Sequence, residues 1–185
     1  RKLDAIRAKG IDPYGSRYEN TEPIAGLLDG GAEGRRVRIA GRMLAARNFG
    51  KAAFINVSDA TGRIQVYVRK DAVGDAAFDL FQLLDLGDLL GVEGELGRSK
   101  TGEITVFAAS LRVLSKALLP PPEKWHGLRD VETRYRQRYV DLFANPDVMK
   151  TFRQRARIIA RLRRYLDERG FLEVETPMMQ SIPGG

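Results

Sequence analysis

Apolar and polar positions alternate with period two through two adjacent stretches, residues 52–58 and 63–69, and the chain is arranged around them. In the first, Ile55 and Val57 alternate with Phe54, Asn56 and Ser58. In the second, Ile64, Val66 and Val68 alternate with Arg63, Gln65, Tyr67 and Arg69. Such alternation puts each set on one face of a strand, and Asp59-Ala60-Thr61-Gly62 between them reads as a tight turn. The aliphatic faces close a core, which leaves Phe54 and Tyr67 on the polar face beside Asn56, Gln65, Arg63 and Arg69. Rings among amides and guanidiniums on an open strand face suit the stacking of unpaired bases. The alternative is a Phe and a Tyr capping a cross-strand pair under a loop.

The pattern on either side supplies the context. Residues 2–9 read as a short helix with Leu3 and Ile6 inward, stopped by Gly10. Ile11 to Gly15 reads as a turn, and residues 16–34 as a polar connector with a brief helix near Ile24 to Leu28. From Arg35, Val37, Ile39 and Met43 alternate with Arg36, Arg38 and Arg42, a strand apolar on one side and cationic on the other. After the central pair, residues 75–86 switch to helical spacing, with Phe78, Phe81 and Leu84 in register and Asp75 as the N-cap. Leu90, Val92 and Leu96 mark a fourth strand with Glu93 and Glu95 outward. A turn at Ser99 to Gly102 leads to a fifth, Glu103 to Leu114, with Ile104 and Val106 inward. Three strands, a helix and two strands is the order of the OB-fold, whose strand 2–3 face and neighbouring loops bind oligonucleotides. This order favours the base-stacking reading of Phe54.

Pro120-Pro121-Pro122 interrupts all periodicity, so 116–130 reads as a stiff linker; Trp125 and His126 sit in it, and the lone His reads as a packing residue rather than a ligand or base. Beyond it, Asn145 reads as a cap and Pro146 as the first residue of a long helix. Val148, Phe152, Ala156, Ile159, Leu162 and Leu166 form one stripe, ended at Gly170. Phe171 to Thr176 is strand-like, halted by Pro177. The expected organisation is mainly β with helices (α+β). An N-terminal helix and connector (1–34) leads into a five-stranded OB barrel (35–115), then the linker (116–130) and the start of a second domain (131–185).

Composition narrows the chemistry. The 185 residues carry no cysteine and one histidine, which excludes disulfides and thiolate metal sites and leaves little for zinc. No apolar run approaches the roughly 18 residues of a membrane span. The net charge of +7 is uneven: residues 129–169 hold twelve Arg and Lys against six Asp and Glu. A second cluster, Arg35, Arg36, Arg38, Arg42, Arg47 and Lys51, has no acid among it. Such an excess fits a polyanion partner; for the first cluster a solvated surface whose acids come from another subunit stays open. The first residue is Arg1 rather than Met, which leaves the true N-terminus open.

Arg169-Gly170-Phe171, Val174 and Pro177-Met178-Met179 resemble motif 1 of the class II aminoacyl-tRNA synthetases, a long helix and strand at a homodimer interface. The run Arg134 to Leu142 resembles the junction of OB and catalytic domains in the lysine, aspartate and asparagine members. Gly10 to Gly15, Lys100 to Glu103 and Pro122 to Leu128 point to the lysine members. The resemblance implies that the OB domain grips the anticodon loop of a lysine tRNA. Phe54 would stack on the middle base, a uridine, and Gln65 would bond its edge. Arg47 would contact the same or a neighbouring nucleotide, and Glu103 would read a flanking uridine. Arg36, Arg38 and Tyr67 are further candidate RNA contacts, and Gly170, Phe171, Val174 and Pro177 candidate dimer-interface residues.

No catalytic or metal-ligating residue is expected within the chain, because the family's motifs 2 and 3, with their ATP and Mg2+, lie beyond residue 185. The whole enzyme would activate lysine with ATP, pass it to the tRNA, and work in the cytoplasm as a homodimer. Two alternatives differ in class: a stand-alone OB module for single strands, or the synthetase domain of a fused membrane lysyltransferase.

Overall fold

The computed structural model describes residues 1–15, 17–30, 33–122 and 128–176, in two compact units, Arg1–Pro121 and Pro122–Gly185. In the first, β1 (Arg36–Asn48), β2 (Ala52–Ser58), β3 (Arg63–Arg69), β4 (Leu89–Arg98) and β5 (Ile104–Ser115) close a barrel in the order β1-β2-β3-β5-β4. Helices α1 (Lys2–Ala8), α2 (Ile24–Leu28), α3 (Lys70–Val73) and α4 (Asp75–Gln82) accompany it. All neighbours are antiparallel except β3 and β5, whose short parallel ladder completes the ring.

The long β1 pairs with β4 along its first half and with β2 along its second. Gly41 lies where it turns between them. A Cβ there would sit 2.5 Å from the Ser58 carbonyl oxygen, so only glycine lets β2 approach. Inside, Ile39, Ile55, Val57, Ile64, Val66, Val68, Leu90 and Val92 are buried, as the alternation predicts, with Phe78, Phe81 and Leu84 covering one side.

Three expectations change in this unit. Ile6 is inward as expected, but the connector is more than a connector, because Ile24 and Leu27 are buried in the same core. The β2–β3 turn also holds α2: Asp59 Oδ2 accepts from the Ile24 amide at 2.9 Å and Thr61 Oγ1 from the Ala25 amide at 3.0 Å. Asp75 is not the cap of α4 but its first residue; Gly74, at φ +85°, occupies the cap position. The linker begins later than expected. Lys116 is buried, with Nζ 2.8 Å from Asp85 and 3.1 Å from the fully buried Asp88, whose Oδ1 also accepts from the Ala117 amide. The cluster from Arg35 to Lys51 has partners within this unit: Arg35 pairs with Glu22, Arg38 with Glu93, and Arg42 donates to the Gly87 carbonyl.

The second unit contains α5 (Val131–Arg136), α6 (Arg138–Ala144) and α7 (Pro146–Asp167). The α5–α6 helices, not foreseen in the polar run 134–142, converge on the buried Asp141, which accepts from Arg134 Nε at 3.0 Å, from Arg138 and from Asn145 Nδ2 at 2.6 Å. Asn145 holds the cap position of α7, yet its side chain serves Asp141 and the Leu128 carbonyl instead of capping. At ~1.5 Å per residue α7 is about 33 Å long, and Gly170, at φ +80°, follows its end. Residues 171–176 form no strand, because a ladder needs a partner that the described residues do not supply. Trp125, His126 and Pro177 lie outside the described residues. No described helix is long and apolar enough to cross a membrane.

These bonded charges set a pH window. Burial alone would raise Asp59 and Asp85. The backbone and Thr61 hydrogen bonds of Asp59, and the Lys116 and Lys2 contacts of Asp85, outweigh it and hold both below the ordinary 3.8. Their contribution to stability is present above 3.8 and lost as pH falls below it, where the unfolded chain binds more protons. Burial would lower Lys116, but Asp85 and Asp88 raise it above 10.5, so its contribution is lost only as pH rises past that value. Thermal melts of the chain should therefore lose stability below 3.8 and above 10.5. Asp59→Asn should make the acid limb shallower, and an unchanged limb would count against Asp59.

Candidate nucleic-acid interface

The site grows out of the β2–β3 register. Ile55 faces Val66 and Val57 faces Ile64 on the inner side, so the outer side pairs Phe54 with Tyr67 and Asn56 with Gln65. The Phe54 and Tyr67 rings stack, with centroids 4.5 Å apart and planes 25° apart. Both readings of Phe54 thus meet in one geometry: it is a cross-strand aromatic pair, and it is half-exposed on an open face. Phe49, in the β1–β2 turn, sets its ring edge-to-face against Phe54 at 6.2 Å. The parallel pairing of β3 with β5 brings Phe107 beside Tyr67, edge-to-face at 5.9 Å. Four rings thus run in a row across three strands and a turn.

Phe49 and Phe107 escaped the sequence reading. For Phe107 a signal existed, since it lies between the buried Val106 and Ala108 and must point outward. For Phe49, in a turn, periodicity offers none.

Beside the row, the polar candidates form one connected group. Gln65 Nε2 donates to Glu103 Oε2 at 2.7 Å, and the buried Thr105 hydroxyl lies 2.9 Å from Gln65 Oε1. Glu103 is presented by the β4–β5 turn. There its amide and carbonyl both bond Ser99, and Gly102 takes φ +84°. Arg47 is exposed and stands opposite Phe54 in the β1–β2 register. Arg36 lines a cleft of about 400 Å³ with Tyr67, Arg69 and Phe107. Arg69 is held by a two-pronged pair with Asp71, at 2.9 and 2.6 Å.

Arg38 is directed elsewhere. Its guanidinium pairs with Glu93, donates to the Glu19 carbonyl at 3.1 Å and lies 5.1 Å from the centroid of the Tyr18 ring. Burial, then Glu93, raises the Tyr18 hydroxyl above its ordinary value. Tyr18 in turn lies flat on Gly91, where a Cβ would come within 2.6 Å of the ring. Arg38 is therefore a fastener for the N-terminal segment, and its guanidinium is already committed.

In the second unit, Phe171 and Val174 are exposed and Gly170 turns the chain after α7. The expected stripe on α7 is also exposed, at Phe152, Ile159, Leu162 and Leu166. Asp141 is pushed up by burial, but its bonds to Asn145 and Arg134 and the charges of Arg134 and Arg138 hold it below the ordinary carboxylate range.

Residues 37–114 match the family model of the OB-fold nucleic acid binding domain, and residues 130–185 that of tRNA synthetases class II (D, K and N). Over its whole length the chain is 55% identical to a lysine–tRNA ligase of Pelotomaculum thermopropionicum, 51% to one of Bacillus subtilis and 50% to one of Syntrophomonas wolfei. It spans 37–39% of the length of these relatives. A stand-alone OB module leaves the second match without a role. With both models matched in order along one chain, and such identity throughout, the chain belongs to the class II tRNA synthetases, in their lysine–tRNA ligase family.

Proposed function

We propose that the β2–β3 face and the β4–β5 turn bind the anticodon loop of a lysine tRNA, as the anticodon-binding part of a ligase that joins lysine to that tRNA. The observation that carries this reading is the row Phe49, Phe54, Tyr67 and Phe107 on the open face of a closed barrel. Single-stranded bases stack on such rings with little regard to sequence. Tyr67 takes one face of Phe54, so the middle uridine stacks on what remains open. Gln65 bonds the edge of that base, Arg47 contacts the same or the next nucleotide, and Glu103 reads a flanking uridine. Arg36, at the cleft beside Tyr67, contacts the phosphate backbone.

Lysine, ATP and Mg2+ are assigned to the whole ligase. Among the described residues no group of three His, Cys, Asp or Glu side chains is placed to hold a metal ion. A homodimer and a cytoplasmic location belong to the same proposal. The exposed apolar side of α7, followed by Phe171 and Val174, supports the dimer.

The test is titration of RNA stem-loops whose central loop base is varied. Arg36→Ala should weaken all of them alike and lower the slope of affinity against salt by about one phosphate contact. Gln65→Ala should instead reduce the preference for central U over C roughly tenfold, the worth of one hydrogen bond to a base edge. Equal behaviour of the two variants would overturn the assignment of Gln65.

A further inference from the structure

We infer that Thr105 is a positioning residue for base selection: together with Glu103 it pins the Gln65 amide in one orientation and so sets which pyrimidine the site accepts. The inference rests on the proposed reading that Gln65 meets a base edge. A glutamine amide has two arms of nearly equal shape, one donor and one acceptor, and its last torsion is broad and two-fold. Uracil offers an acceptor, O4, beside the N3–H donor. Cytosine offers a donor, the N4 amino group, beside the N3 acceptor, which is the same pattern reversed. A free amide suits either base by turning over, and discriminates poorly.

In this barrel the amide is not free. The Glu103 carboxylate accepts only, so it must face the amino arm, and Nε2 donates to it at 2.7 Å. That turns Oε1 toward the Thr105 hydroxyl, 2.9 Å away. The Glu103 carbonyl, also 2.9 Å from the hydroxyl, already accepts from the Ser99 amide, which leaves the hydroxyl proton for Oε1. Thr105 is fully buried, β-branched and stiff about χ1, and it sits opposite Gln65 in the parallel β3–β5 register. Its hydroxyl is therefore fixed by the barrel itself. Turning the amide over would set Oε1 against a carboxylate and take it away from the hydroxyl proton. One amide N–H and one oxygen lone pair remain for a base, in a single order.

Thr105→Val keeps the shape and removes the hydroxyl. The Glu103 carbonyl stays satisfied, because it also accepts from the Ser99 amide at 2.9 Å. Stem-loops with central U or C are titrated against wild type, Thr105→Val, Thr105→Ser and Gln65→Ala, with a thermal melt of each. Thr105→Val should hold its affinity for central U within about threefold while the U-over-C ratio falls roughly tenfold, and Thr105→Ser should restore the ratio. A ratio unchanged in Thr105→Val but lost in Gln65→Ala would overturn the pinning and leave the reading of Gln65 standing. A ratio unchanged in both would overturn the reading and the inference together. Equal weakening of both RNAs by Thr105→Val would assign Thr105 a structural role only, and so also overturn the inference. If Thr105→Val melts early, Thr105→Ala supplies the same ratio without the branched methyl.

Discussion

Phe54→Ala should weaken binding of a lysine anticodon stem-loop by about 1–3 kcal/mol, the worth of one base–aromatic stack. The chain should stay folded. Phe54 is half-exposed and touches Tyr67 and Phe49, while Ile55 and Val57 on the other face carry the core. Losing a cross-strand aromatic pair costs about 1 kcal/mol, against roughly 3–5 kcal/mol for a ring removed from a sealed core. Binding and melting therefore separate the two roles. A variant that melts much earlier, yet binds normally while folded, would make Phe54 a packing residue. Phe107→Ala extends the test to the far end of the row, where a smaller loss is expected because the ring meets Tyr67 only edge-on.

The largest stability effect is expected at Lys116. Lys116→Met would leave Asp88 fully buried with two amide donors, those of Asp85 and Ala117, and no cation. Removing one partner of a buried pair costs about 3–5 kcal/mol, since the remaining charge stays desolvated. The melting temperature should fall on the order of 10–20 °C. Lys116→Met combined with Asp88→Asn should recover part of the loss, because the stranded charge is gone. A single variant melting within a degree or two of wild type would show that Asp88 takes up a proton or reaches water at little cost.

The barrel was legible because its strands obey one local rule. Ile55, Val57, Ile64, Val66 and Val68 alternate strictly, and a period of two leaves one choice of inner face. The helices cover the core where Phe78, Phe81 and Leu84 repeat at helical spacing. Legibility failed where position depends on residues far along the chain. Lys116 looked like linker because a lysine beside a proline run carries no sign of the two aspartates that bury it. Phe171 to Thr176 has the composition of a strand, but composition cannot provide a neighbour. Asp75 was a plausible cap by type, yet the glycine before it could take the backbone angle that the entry to α4 required. Half of the site was visible: Phe54, Tyr67 and Gln65 share one hairpin face. Thr105 was hidden, and so was the neighbour of the outward Phe107, since nothing local in β5 says which strand it will lie beside.

That last pairing has a mechanical consequence. The ladder between β3 and β5 joins only three residue pairs, and it unites residues about forty positions apart, Gln65 with Thr105 among them. It is the seam at which the ring shuts, and the proposed reading surface straddles it. An RNA loop lying across the seam acts as a clasp, because it binds the shut ring and not an open one, and so adds its affinity to closure. Backbone amides of Val66, Tyr67 and Val106 should then exchange with solvent more slowly when the loop is bound, with less change in the β1–β4 ladder on the opposite wall.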